Sequence, residues 1–163
     1  MSKILSAAQK KLHNRLHGTG GRGSAGNITV YHRGATKYKK IYRRVNFMSG
    51  VNTEGVVLSL HYDPNRTSNV AFVYYLTGYC SYILAAEGLK IGSTFFLGDN
   101  PKKLEEVFTI GAYLPLRLLP IGFVVHNVEL EPTGGAKICR SAGVYAIILK
   151  KTGSKVLIKL PSG

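Results

Sequence analysis

The sequence predicts an all-β chain with a basic N-terminal arm, and three observations carry that prediction. Nineteen Gly and six Pro cut the 163 residues into short segments. Several of these segments alternate apolar and polar residues with period two, the signature of a half-buried strand. Residues 1–53 hold eleven Lys or Arg and no Asp or Glu, the first acid being Glu54. Many short strands between regular turn signals point to small barrels or sandwiches.

Taken in order, Gly18-Thr19-Gly20-Gly21-Arg22-Gly23-Ser24-Ala25-Gly26 reads as loop, 27–31 as a strand and 41–47 as another. In 54–62, Val56, Leu58, Leu60 and Tyr62 face one way and Val57, Ser59 and His61 the other. Asp63-Pro64-Asn65-Arg66 is a turn, because Pro pre-sets the φ of its second position. Strands at 69–76 and 80–85 follow, then 89–97 with Gly92 as a bulge. Asp99, Lys102, Lys103, Glu105 and Glu106 mark a linker or short helix. A second series comprises 122–129, 142–150 and 155–160, with turns at Glu131-Pro132-Thr133-Gly134-Gly135 and Thr152-Gly153-Ser154. The division is an arm at 1–25, a unit at 26–98 of the size of an OB-type barrel, a linker at 99–111 and a second unit at 112–163. The 155–160 strand is apolar and ends in Pro161-Ser162-Gly163, so its free edge calls for a covering partner.

The net charge of +14 implies a polyanionic partner or an acidic membrane surface. Arg33, Lys37, Lys39, Lys40, Arg43 and Arg44 are interleaved with Tyr38 and Tyr42, as phosphate neutralisation plus base stacking requires. A solvated basic tail is the alternative, but such tails are Lys-rich and poor in aromatics. Nucleic acid is therefore the favoured partner. Residues 1–16 are basic and loosely amphipathic, suited either to an RNA-contacting arm or to an organellar leader. Residues 67–86 carry no charge over twenty positions, yet Asn69, Thr77, Gly78 and four Tyr make two strands around a turn a better reading than a membrane span.

Catalytic and metal signatures do not assemble. The letters Gly18-Thr19-Gly20-Gly21-Arg22-Gly23 fit a dinucleotide fingerprint, but a strand-like segment follows where a helix is needed. His13 and His17 stand at helical spacing with Asn14 where a metalloprotease places Glu, and read as phosphate-contacting or exposed. Apart from the adjacent Glu105 and Glu106, the acids are scattered singly and form no acid–base pair. Cys80 and Cys139 have no CxxC neighbour, so neither a disulfide framework nor a zinc site is expected. No enzyme activity, cofactor, metal or small-molecule substrate is expected.

A series of segments resembles the universal large-subunit ribosomal protein L2 family. It runs from Gly20-Gly21-Arg22 and Gly26-Asn27-Ile28-Thr29-Val30 through His32-Arg33-Gly34, Tyr62-Asp63-Pro64-Asn65-Arg66 and Tyr82-Ile83-Leu84-Ala85. It continues with Gly88-Leu89-Lys90-Ile91-Gly92 and Leu114-Pro115-Leu116-Arg117, then Val125-His126-Asn127-Val128-Glu129-Leu130. Gly134-Gly135, Arg140-Ser141-Ala142-Gly143 and Leu160-Pro161-Ser162-Gly163 complete it. The resemblance implies an OB-type barrel followed by an SH3-like barrel, bound to large-subunit rRNA near the peptidyl-transferase region and beside neighbouring ribosomal proteins. It implies rRNA contacts at Arg22, Arg33, Lys37, Lys39, Lys40, Tyr42, Arg43, Arg44 and Arg66, with Arg66 projecting from a rigid loop tip. In the second unit it implies contacts at Arg117, His126, Asn127, Lys137, Arg140 and Ser141, beside the glycines Gly134, Gly135 and Gly143. Any Mg²⁺ is expected to be held by the rRNA.

The sequence departs from the family at Ala35 and Thr36, where glycines are usual, and at the neutral Thr77-Gly78-Tyr79-Cys80-Ser81, where a charged hairpin is usual. Family members also continue beyond Leu160-Pro161-Ser162-Gly163. The expectation is a split organellar version, mitochondrial rather than plastid or bacterial, whose separate C-terminal fragment pairs with 155–163 and completes the second barrel. The rival readings are a free OB-fold protein for single-stranded nucleic acid and a peripheral membrane-surface protein.

Overall fold

In a computed structural model of the chain, residues 2–34, 40–47, 52–98 and 108–163 are described, with side chains from residue 7 onward. The fold is all-β, an OB-type unit followed by an SH3-like unit. Its strands are β1 (His13–Arg15), β2 (Ile41–Arg43), β3 (Thr53–His61), β4 (Val70–Tyr75), β5 (Cys80–Leu84) and β6 (Thr94–Leu97), then β7 (Val124–Val125), β8 (Val128–Glu129), β9 (Ala136–Ile138), β10 (Ala146–Thr152) and β11 (Lys155–Lys159). One helix, α1 (Ser2–Lys11), precedes them; the sequence reading left this stretch as arm. Lys10 and Lys11 complement its C-terminal dipole.

The first unit is built on an antiparallel sheet of order β5-β4-β3-β6. β4 reads Val-Ala-Phe-Val-Tyr-Tyr and is buried on both faces. Ala71, Val73 and Tyr75 join Val57, Leu89, Phe95 and Leu97 in one core, and Val70 and Phe72 join Tyr82 and Leu84 in another. This second face is covered from the N-terminal side, where Ala8, Leu12, Val45 and Phe47 pack against it. The ribbon β1–β2 pairs His13 with Arg43 and Arg15 with Ile41, so the expected arm at 1–25 is hydrogen-bonded to the first unit. In the second unit the sheet order is β11-β10-β7, and β8 pairs with β9. Leu119 and Ile148 form its core, with Leu114, Leu116, Phe123, Val125, Val156 and Ile158 packed around them.

Several expected strands are shorter or absent. Residues 27–31 form turns rather than a strand, because Gly21, at φ 75°, lets its carbonyl accept from both Thr29 and Val30 N–H at 2.9 and 3.1 Å. A Cβ at Gly21 would lie 2.1 Å from the Val30 carbonyl oxygen, so this loop admits glycine alone. Of 41–47 only Ile41–Arg43 is strand, Val45 adding a single bridge to Tyr82. The alternation expected in 54–62 is broken by a bulge at Leu58 between the pairs Val57–Val73 and Ser59–Phe72. Beyond it the face changes, and Leu60 and Tyr62 are exposed. Only Thr94–Leu97 of 89–97 is strand; Gly92 lies in the preceding turn and donates to the Val57 carbonyl. The 122–129 segment splits into β7 and β8 where Asn127 adopts φ 55°. The 67–86 stretch is the hairpin β4–β5, and no helix among the described residues is long and apolar enough to cross a membrane.

Candidate nucleic-acid interface

The first unit presents its cations along β2 and the loops flanking it. Arg22, Arg33, Lys40 and Arg44 are exposed, and Arg43 is half-buried. Lys37 and Lys39 lie outside the described residues. Tyr42 is exposed, with the Arg66 guanidinium 5.9 Å from its ring centroid. Arg66 therefore does not project from the loop tip as the sequence suggested. Its side chain is 16% exposed and its Nε donates to Asp63 Oδ2 at 2.8 Å, while Nη2 donates to the Arg43 carbonyl at 3.4 Å. The reason is Asp63, wholly buried, whose charge requires a partner. Asp63 Oδ1 also accepts from Asn65 N at 2.9 Å, and Asn65 Nδ2 donates to the Ile41 carbonyl at 2.7 Å. The turn at 63–66 thus clamps β2.

Behind this clamp lies a cluster the sequence reading missed. His13 Nε2 is 3.0 Å from the Tyr82 hydroxyl, with the two rings stacked, and His61 meets the same Tyr82 ring edge-on. His61 Nε2 is also 2.8 Å from Ser59 Oγ. His13 is accordingly packed against the barrel rather than simply exposed. Burial, and then the nearby Arg43, lower the pKa of both imidazoles; for His13 the His61 charge adds to this and Asp63 opposes it. Burial raises the Tyr82 hydroxyl. Cys80 and Cys139 are free thiols, each pushed up by burial. No group of three or more His, Cys, Asp or Glu among the described residues is placed to hold a metal.

In the second unit Arg117, Lys137 and Ser141 are exposed. Arg140 is exposed but anchored, its guanidinium 4.7 Å from the Phe47 ring centroid, a cation–π contact that joins the two units. Phe47 is the junction in backbone terms as well, since its carbonyl accepts from Ala136 N at 2.8 Å. Tyr113 bridges the same seam, its N–H donating to the Phe96 carbonyl at 2.9 Å and its ring packing on the first unit's core while its hydroxyl donates to Glu129 Oε1 at 2.6 Å. Ala142 N donates to Thr67 Oγ1 at 3.2 Å and ties the 140–143 loop to the first unit. Gly143 has open space around its Cβ position, whereas Gly134 faces the Glu131 carbonyl. His126 has an exposed surface, yet crowding of its ring by protein lowers its pKa; the exposure limits how far. Asn127 serves the backbone: its N–H donates to the Cys139 carbonyl at 2.9 Å, and its Oδ1 is buried without a hydrogen-bond partner among the described residues.

Two small β units, joined at Phe47 and carrying exposed cations on both, define a basic two-unit β protein. Residues 9–96 match the family model "Ribosomal Proteins L2, RNA binding N-terminal domain", and residues 109–163 match "Ribosomal Proteins L2, C-terminal domain". The chain is 41% identical over 156 residues to the "Large ribosomal subunit protein uL2" of Amoebophilus asiaticus (strain 5a2), covering 95% of this chain and 55% of that relative. The chain belongs to the ribosomal protein L2 family, and it spans about half the length of this relative.

Proposed function

We propose that the chain is a structural, non-catalytic constituent of the large ribosomal subunit that binds and organises large-subunit rRNA near the peptidyl-transferase region. One observation carries this reading: apart from Arg43 and Arg66, its proposed contact cations among the described residues face solvent, while Asp63 and Glu129 are engaged internally. Asp63 is buried against Arg66, and Glu129 accepts from Tyr113. What remains outside is a surface with a large excess of cations on both units, the exposed acids among the described residues being Glu54, Glu87 and Glu131. Such an excess is most favourable beside a polyanion. Its proposed rRNA contacts are Arg22, Arg33, Lys37, Lys39, Lys40, Tyr42, Arg43, Arg44 and Arg66 from the first unit. Arg117, His126, Asn127, Lys137, Arg140 and Ser141 are those from the second. Arg66 would act mainly by holding β2, and Arg140 by direct contact. No cofactor is required; Mg²⁺ would accompany the RNA.

The proposed domain division stays that of the sequence: 1–25, 26–98, 99–111 and 112–163. β11 is the edge strand of its sheet, with Leu157 exposed on it. We propose that a further strand covers this edge in the assembled particle, and that the particle is a mitochondrial ribosome. Cross-linking of intact particles at Lys155 and Lys159 tests the first: cross-links to a neighbouring strand support it, and freely labelled lysines overturn it.

Salt-dependent binding to a large-subunit rRNA transcript tests the main reading. Arg140→Ala should weaken binding and reduce the salt slope by about one. An unchanged slope would remove Arg140 from the interface. Retention on anionic liposomes despite excess rRNA would overturn the reading in favour of a membrane surface.

A further inference from the structure

Between β2 and the turn that follows β3 lies a groove of about 510 Å³, lined by Lys40, Ile41, Arg43, Tyr62 and Pro64. Its volume falls in the range of small-ligand sites, roughly 300–1,000 Å³. Its walls are fixed before anything binds, because Asn65 Nδ2 holds the Ile41 carbonyl and Arg66 Nη2 holds that of Arg43. Tyr62 is 75% exposed although Asp63, its neighbour, is wholly buried. The chain thus displays a flat ring on an anchored turn. Ile41 is exposed beside it, and Arg43, whose guanidinium also neighbours the Tyr82 hydroxyl, has an Nε that is buried with no hydrogen-bond partner among the described residues.

Two cations, one aromatic ring and an apolar floor of Ile41 and Pro64 match the parts of a single nucleotide. We propose that this groove holds one unpaired ribonucleotide of the bound RNA, its base stacked on Tyr62 and its phosphate met by Lys40 and Arg43. A base inside a duplex already has both faces covered, so only an unpaired one offers Tyr62 a π-face. An acidic peptide would satisfy the cations but leave ring and floor without a counterpart. The site also moves the stacking role: Arg66 lies over the Tyr42 ring, whereas Tyr62 is far more exposed. The inference rests on the rRNA reading above and adds to it which conformation of RNA is selected, and where.

Two labelled RNA hairpins, identical but for one unpaired adenosine, test it against the full chain by fluorescence anisotropy. The bulged hairpin should bind more tightly, by about 5- to 100-fold, the range expected for one stacked base. Tyr62→Ala should abolish that difference and leave both the affinity for the paired hairpin and the salt slope unchanged. Tyr62→Phe should keep the difference. The ring's exposure makes both variants foldable, with thermal unfolding as the control. If both hairpins bind equally well to the unaltered chain, the groove is not a nucleotide site, though the rRNA reading survives. Failure to bind either RNA overturns the rRNA reading and this proposal with it. Displacement of the bulged hairpin by poly-glutamate, with loss on Tyr62→Ala, would make the groove a peptide site and overturn the proposal.

Discussion

Asp63 has both carboxylate oxygens engaged and no exposure, so removing it acts on several groups together. Asp63→Ala strips the partner from the part-buried Arg66 guanidinium and the acceptor from Asn65 N, and should cost about 3 kcal/mol. Asp63→Asn keeps the Asn65 acceptor and should cost less; equal losses in urea unfolding would show that the ion pair, not the turn, carries the effect. The two histidines on Tyr82 give a second residue-scale prediction. Their pKa values are lowered in the fold from 6.5, so as pH falls the unfolded chain takes up protons first. Stability should therefore decline as pH drops through 6.5 and level off below the folded values. Thermal unfolding at about pH 7.5 and about pH 5 should show this decline, and replacing both His13 and His61 with Gln should flatten it. A double variant with the same pH dependence would place the titrating groups elsewhere.

At the scale of elements, Gly55 in β3 shows how pairing depends on one missing side chain. A Cβ there would lie 2.9–3.1 Å from Val73, Phe95 and Tyr75, all in the buried core. Gly55→Ala should therefore destabilise by about 1–3 kcal/mol through overpacking, despite the gain in strand propensity. An unfolding midpoint equal to or above the unaltered chain's would show that the core yields there. Gly55 was not legible in the sequence, since overpacking depends on what β4 and β6 bring opposite. The paired strands β4, β5, β10 and β11 were legible, because their apolar runs end at strong turns such as Thr77-Gly78 and Thr152-Gly153. The bulge at Leu58 was not, since a one-residue slip leaves the composition of 54–62 unchanged. α1 and β1 were missed because their partners, the core cluster that receives Ala8 and the strand β2, lie far along the chain. The basic character of the interface could be read from charge alone. The inward turn of Arg66 could not, because it requires knowing that Asp63 is buried.

For the whole molecule, the central question is how two small barrels hold one orientation, since an RNA surface shared between them requires it. The seam is narrow and mixed. Phe47 packs on the first core, accepts from Ala136 N through its carbonyl and carries the Arg140 guanidinium over its ring. Tyr113 has a single hydroxyl hydrogen, which at 2.6 Å belongs to Glu129, and its ring packs on the core of the first unit. Phe47→Ala keeps the backbone bond but removes the ring that fills one cluster and seats Arg140. The loss should therefore appear as uncoupling as well as destabilisation. Urea unfolding of the unaltered chain should be a single transition, and that of the variant should broaden or divide as the second unit melts first. Binding should change in a distinctive way too. With Arg140 no longer seated beforehand, Phe47→Ala should weaken rRNA affinity while preserving the salt slope, because Arg140 still reaches its phosphate in the complex and only its ordering in the free chain is lost. A variant with one sharp transition and unaltered affinity would mean that the orientation is held by Tyr113 and the Ala142–Thr67 bond instead.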